Sequence, residues 1–254
     1  MVELKTREEI AQMRATGRLV HQVIHQTATR LVPGITTGEL EYFAMLLLSA
    51  SGGSSPCLGY TPPGHDPYPA WTCISVNDEI VHGVPGYRKI KEGDVVTIDV
   101  CAEWNGWVAD SAWTFGVGRI TPQAERLLRI GRESLYKGIA QAIPGNRMGD
   151  ISHAVQRYAE MQGYSVVREL HGHGVGRSMH EGAIDVPNYG SRGKGMLLKS
   201  GMTFAIEPML NVGRKDIQCL NDGWTIATAD GSLSAHFEHT IAILPHGPEI
   251  LTCP

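Results

Sequence analysis

The stretch VTIDVCAEWNGWVADSAWTF, residues 96–115, is two strand-like runs folded about Asn105-Gly106, a strong signal for a two-residue hairpin turn. Pairing Trp104 with Trp107 across that turn sets Val100 opposite Ser111 and Asp99 opposite Ala112. Asp110 is two residues from Ala112, so it shares a face with Asp99 and lies diagonally across the ladder. Such neighbours are roughly 7–8 Å apart at the backbone, close enough for two carboxylates to converge on one point. A slip of one residue would send the acids to opposite faces.

A single Asp in a strand is more often an edge charge or a turn cap. Asp99, however, closes the apolar run Val95-Val96-Thr97-Ile98, and a buried carboxylate without a partner is costly. Glu207 follows Phe204-Ala205-Ile206 in the same way, and Glu238 stands beside Phe237 before the run at 240–244. Acids in such contexts need a shared cation or shared protons, and the sequence favours the cation. His173, between Gly172 and Gly174, is the candidate nitrogen donor, with the glycines letting the backbone pass close to a metal. Asp99, Asp110, His173, Glu207 and Glu238 together could hold two hard or borderline divalent cations, with carboxylates left over to bridge them.

These segments, with others in the same order, resemble the type I methionine aminopeptidases over nearly the whole chain. The matching stretches are CLGY (57–60), CISVNDEIVHG (73–83), the hairpin, HGHGVGRSMHE (171–181), GMTFAIEPM (201–209) and DGWTIATADGSLSAHFEHT (222–240). The resemblance implies an α+β pita-bread fold, two pseudo-symmetric halves around a dinuclear site, as one catalytic domain over residues 1–254. It implies that Asp99 chelates one metal, that His173 and Glu207 bind the other, and that Asp110 and Glu238 bridge them. His82 and His180 would contact substrate, and Cys57, Tyr60, Tyr68, Cys73 and Trp224 would line a methionine pocket. Met179 joins that pocket where the family usually has an aromatic residue. The implied activity is removal of the initiator methionine from nascent chains with a small second residue. Glu207 would move the proton, His180 would polarise the carbonyl, and His82 would contact the amide beyond it. Mn²⁺, Fe²⁺ or Co²⁺ suits a donor set rich in oxygen with one nitrogen.

Composition agrees with such an enzyme. A chain of 254 residues can bury roughly three quarters of its unfolded surface in one core. The formal charge of −4 gives no electrostatic case for nucleic acid or anionic membrane as the main partner. Five cysteines, an odd number without CxxC spacing, fit reduced thiols in a cytoplasmic protein. The charged start MVELKTREEI lacks the apolar core of a secretion signal, and the run at 42–48 is too short to span a bilayer. A soluble monomer is expected.

Capping boxes at Thr6–Glu9 and Thr36–Glu39 open helices, the first running toward Pro33-Gly34. Thr121-Pro122 opens a third, ending near Pro144-Gly145, and Gly149-Asp150 precedes a fourth at 151–161. Strands are expected at 71–76, 95–104, 107–114, 165–170, 202–206 and 235–244. His21, His25 and His153 are expected at helix surfaces or boundaries, and His171 reads equally as exposed or as a neighbour of the site. His65 lies in the loop 61–67, which is longer than the family pattern and is explained by turn chemistry.

Two other readings share the fold. Prolidase-like hydrolysis of X-Pro bonds usually comes with a sizeable preceding domain, whereas 98 residues precede Asp99. A non-catalytic binding module would have lost ligands that this chain keeps. Ribosome contact follows from the family's role, but at 211–234 Arg214 and Lys215 face Asp216, Asp222 and Asp230, a weak basic patch.

Overall fold

The computed structural model describes residues 2–254. The chain opens with helices α1 (Arg7–Ala28) and α2 (Thr37–Ala50), then strands β1 (Cys73–Val76), β2 (Glu79–Val81), β3 (Val95–Trp104) and β4 (Trp107–Gly116). Helices α3 (Pro122–Ile139) and α4 (Met148–Met161) follow, then β5 (Ser165–Val166), β6 (His171–Gly174), β7 (Glu181–Pro187), β8 (Thr203–Ile206) and β9 (Met209–Asn211). Five short strands complete it: β10 (Ile217–Cys219), β11 (Ile226–Thr228), β12 (Ser234–His236), β13 (His239–Leu244) and β14 (Gly247–Ile250).

One arrangement occurs twice. Val20, Val23 and Ile24 of α1 with Leu40, Ala44 and Leu48 of α2 pack on Ile74, Val96, Ile98 and Val100 of the antiparallel β1-β3-β4 sheet. Leu127, Ile130 and Leu135 of α3 with Ile151 and Ala159 of α4 pack against Phe204, Ile206 and Ile241 of the five-stranded sheet β14-β13-β8-β6-β7. Each helix pair buries one apolar stripe on one sheet, the way an amphipathic helix satisfies its hydrophobic face.

Both capping boxes form: Thr6 and Thr36 each accept from the amide three residues on, and the Glu9 and Glu39 carboxylates return to the cap amides. Helix α1 ends at Ala28, about a turn short of the expected Pro33, where Thr29 caps the Gln26 carbonyl. Helix α4 starts at Met148, three residues earlier than expected, because Asp150 at its N3 position accepts from the Arg147 amide at 2.8 Å. His21, His25 and His153 are half-buried helix residues, as expected. All five cysteines are free thiols, and among the described residues no helix is long and apolar enough to cross a membrane.

The run at 235–244, expected as one strand, is two. β12 ends at His236 and pairs with β9, whereas β13 begins at His239 and pairs with β8. Pro208, which has no N–H to donate, interrupts the facing chain at the same level, between Ile206 and Met209. The two sheets therefore part at Glu207-Pro208 and Phe237-Glu238, and both glutamates sit at that break.

Candidate metal centre and substrate pocket

The hairpin register places Asp99 opposite Ala112, Cys101 opposite Asp110 and Trp104 opposite Trp107, so the two aspartates share a face. Asn105 and Gly106 take φ of 52° and 74°, the left-handed pair that a type I′ turn requires. Strand β4 is then stitched to the β12–β13 junction. Thr240 Oγ1 donates to the Asp110 carbonyl at 2.8 Å and accepts from its amide at 2.9 Å. Ser111 Oγ donates to the Glu238 carbonyl at 2.6 Å, and the Glu238 amide donates to the Ala112 carbonyl at 2.8 Å. These bonds fix Asp110 and Glu238, 128 positions apart in the chain, against one another.

His173 enters from β6. Its Nε2 lies 3.9 Å from Asp110 Oδ2 and 3.7 Å from Glu207 Oε1, and its Nδ1 lies 3.2 Å from the Gly174 carbonyl oxygen. The glycines beside it are required by the sheet. A Cβ on Gly172 would stand 2.3 Å from the Ala205 carbonyl oxygen, and one on Gly174 would stand 2.6 Å from that of Glu181. Gly172→Ala must therefore push β6 away from β8. We expect a loss of about 1–3 kcal/mol, the usual range for overpacking, read as a lowered thermal midpoint.

Ligand atoms of Asp110, His173 and Glu238 all lie within 4.8 Å of one another. Asp110 Oδ1 and Glu238 Oε1 are buried without a hydrogen-bond partner. Burial, and then the neighbouring Asp110 charge, hold the Asp99, Glu207 and Glu238 carboxyls well above the ordinary carboxylate range. Burial raises Asp110 itself to about 6. Burial lowers His173 to about 3, with the nearby His180 adding to the effect, so its imidazole is neutral and has a lone pair to give. Mutually repelling buried acids around a neutral imidazole are the donor set a divalent cation fits.

One member escaped the sequence reading. His236, which is 2 % exposed, sets Nε2 3.7 Å from Glu207 Oε2 and 3.9 Å from Glu238 Oε2. Both its nitrogens are buried without a hydrogen-bond partner. Glu207 thus faces one imidazole with each oxygen. The signal was there: His236 and Glu238 are two apart in extended chain, so they share a face.

A cavity of about 420 Å³ opens beside the cluster and is lined by Cys57, Tyr60, Tyr68, Cys73, His82, Met179, His180 and Trp224. The Tyr68 ring stands edge-on to Trp224 with centroids 5.1 Å apart, and its hydroxyl lies 3.1 Å from the Thr72 and Gly83 carbonyl oxygens. Trp224 is presented by a turn in which its own amide and that of Thr225 donate to Asp222 Oδ1 at 2.9 and 2.8 Å. Cys57 Sγ lies 3.9 Å from Met179 Sδ. The His180 ring sits 4.2 Å from that of His173 and 5.2 Å from that of Tyr60. His82 holds a left-handed φ of 58° just after β2, and burial lowers its pKa to about 4. All the sequence-derived site residues meet around this cavity. So does His65, given no role above: its ring lies 5.2 Å from Trp224 and its Nδ1 3.2 Å from the Gly223 carbonyl oxygen.

Residues 11–245 match the metallopeptidase family M24. The chain belongs to that family. It is 46% identical to a methionine aminopeptidase of Clostridium perfringens over 252 residues, and 45% identical to methionine aminopeptidase 1 of Bacillus subtilis, covering 99% of both chains in each case. The solved methionine aminopeptidase of Rickettsia prowazekii superposes with a TM-score of 0.96 at 37% identity, covering 100% of both chains. Prolidase from Pyrococcus furiosus, at 22% identity and a TM-score of 0.77, shares the fold alone, and the match covers 65% of that chain. The fold is therefore the pita-bread fold, with the two helix-on-sheet units as its halves, and the Asp110 cluster is a candidate site for the divalent metal that a metallopeptidase uses.

Proposed function

We propose that this protein is a metalloaminopeptidase that removes the initiator methionine from nascent cytoplasmic polypeptides, acting as one catalytic unit over residues 1–254. The observation that carries the reading is the adjacency of a buried, unsatisfied carboxylate–imidazole cluster to a cavity walled by Trp224, Tyr60, Tyr68, Cys57 and Cys73. A soft pocket suits an unbranched thioether.

In this reading Asp99, Asp110, His173, Glu207 and Glu238 would hold two divalent cations between them. Mn, Fe or Co suits such a set. When bound, the pair supplies an acidified water and stabilises the charge that develops on the carbonyl oxygen. Glu207 would take the proton of the attacking water and pass it to the leaving amine. His180 donates to the scissile carbonyl, and His82 contacts the amide beyond it. His236, with Nε2 within 4 Å of both Glu207 and Glu238, is placed to orient both carboxylates. Ribosome contact at 211–234 would lean on Arg214, because Lys215 pairs with Asp216 at 3.2 Å.

The test compares kcat/KM for Met-Ala-Ser, Leu-Ala-Ser, Met-Lys-Ser and Ala-Pro-Ser. Met-Ala-Ser should be cleaved best and Met-Lys-Ser poorly, because the second residue must be small. Preferred cleavage of Ala-Pro-Ser would overturn the methionine assignment. Met179→Phe should raise the preference for methionine over leucine by stiffening the wall that Met179 shares with Cys57; an unchanged ratio would make Met179 a packing residue only.

A further inference from the structure

His180 and Met179 sit on a short loop between β6 and β7 that reaches the pocket from outside, and what holds that loop is a buried lysine. The Lys5 side chain is 0% exposed and lies 2.9 Å from Glu181 Oε2 and 3.1 Å from Oε1. The same carboxylate accepts the Arg177 amide on Oε1 at 2.8 Å, so it spans the loop end to end. Inside that span Ser178 Oγ donates to the His180 carbonyl at 3.1 Å, and the Gly176 amide donates to the Ser178 carbonyl at 3.2 Å. A Cβ on Gly176 would stand 2.1 Å from Glu181 Oε1, so the carboxylate lies directly on the loop backbone. Lys5 is itself anchored by its amide, which donates to the Gly201 carbonyl at 2.8 Å. A second tie runs to the hairpin that carries Asp99 and Asp110, where the Arg177 guanidinium lies 3.5 Å from the Trp107 ring centre and donates to the Gly106 carbonyl at 3.1 Å.

A lysine surrenders its hydration only where paired and hydrogen-bonded, and breaking such a pair leaves an uncompensated charge. A cavity of about 350 Å³ lies beside the loop, lined by Val2, Glu3, Arg177, Ser178, Glu181 and Ile184 among others. Among the described residues its only further acid near the ammonium is Glu3, 3.3 Å away and 63% exposed. We propose that Lys5, acting through Glu181, is a positioning residue for the reaction: it clamps the 177–181 loop so that His180 faces the scissile carbonyl. The inference rests on the catalytic role proposed for His180.

Lys5→Met keeps the stem and removes the ammonium. We expect kcat on Met-Ala-Ser to fall ~10- to 10²-fold, the scale on which a misplaced catalytic group is felt, with bound metal and KM little changed. Amide exchange should accelerate across 177–181 while α1 stays protected. Should Lys5→Met not fold, Glu181→Asp keeps the counter-charge while drawing the carboxylate back from the Arg177 amide, and the same loss is expected. Wild-type kcat in either folded variant, or faster exchange spread through α1 and the hairpin, would overturn the clamp. His180→Ala run beside them separates the two ideas: if that variant is fully active the reading of His180 fails, and if it alone is impaired only the clamp fails.

Discussion

Asp110→Asn is expected to abolish turnover and yet to make the metal-free protein more stable. Asp110 is the leading source of charge repulsion among the acids: it raises the carboxyls of Asp99, Glu207 and Glu238, in each case second only to burial. As the bridge that the resemblance implies, it would touch both halves of the centre, so its loss should exceed the ~10- to 10²-fold fall seen when only an outer partner of a metal ligand is removed. In metal-free protein the sign reverses. The Asp110 carboxyl titrates at about 6 in the fold and at about 3.9 when unfolded. Between those values the folded state binds more protons, so stability is greatest at the acid end and falls as pH rises through the window. The other three acids are shifted in the same direction, which extends the decline toward neutral pH. An amide at position 110 removes this penalty and lowers its neighbours' repulsion. Thermal melts of metal-free wild type at pH 5 and pH 8 should differ more than those of Asp110→Asn, and added Mn²⁺ should raise the wild-type midpoint most at the higher pH. Turnover by Asp110→Asn within tenfold of wild type would remove Asp110 from the centre; a metal-free variant no more stable at pH 8 would contradict the repulsion account.

Much of this site could be read because one local rule decides it. Strand alternation about Asn105-Gly106 put Asp99 and Asp110 on one face, and the structure has that register residue for residue. The helices were legible from their caps for the same reason: Thr6, Thr36 and Thr121 each bond an amide three residues on, a contact within one turn. What stayed hidden depended on distant pairing. The break between β12 and β13 comes from a sheet switch imposed with Pro208 on the other strand, and nothing in 235–244 alone signals it. The segment 165–170 was expected as a strand but keeps only Ser165–Val166, since its partner β9 is three residues long and is shared with β12. Strand β7, with Glu181 and Ile184, went unread because its sequence, Glu181-Gly182-Ala183-Ile184-Asp185-Val186-Pro187, has a clean alternation only in its second half. His236 is legible only through Glu238, two residues on, because a lone imidazole among apolar residues reads as core until its neighbour is taken as a ligand. His65 was read as turn chemistry because its partners, Gly223 and Trp224, come from the other end of the chain.

His180→Ala should lower kcat by ~10²–10³-fold, the usual loss when one donor to a developing oxyanion is removed, while the protein keeps its metal. Of the three imidazoles of the HGHGVGRSMHE segment, those of His173 and His180 are close, with ring centres 4.2 Å apart, so proximity does not assign their roles; their contacts do. His173 Nε2 lies within 4 Å of both Asp110 and Glu207, whereas His180 has no carboxylate within that range among the described residues. His180 instead leans its ring toward Tyr60, at 5.2 Å, on the cavity wall where substrate must enter. Burial and His171 lower its pKa, so at neutral pH it offers an uncharged N–H that does not repel cations at the centre. Removing it takes a hydrogen bond that strengthens as charge builds on the carbonyl oxygen, and such a loss falls on kcat more than on KM. His173→Ala should do the opposite and lose bound metal first. Metal content by elemental analysis, beside kcat and KM for Met-Ala-Ser, reads both variants. His180→Gln, which keeps an N–H at similar reach, should recover part of the rate. If His180→Ala also empties the centre, His180 is a ligand and the division of labour between the two histidines is wrong.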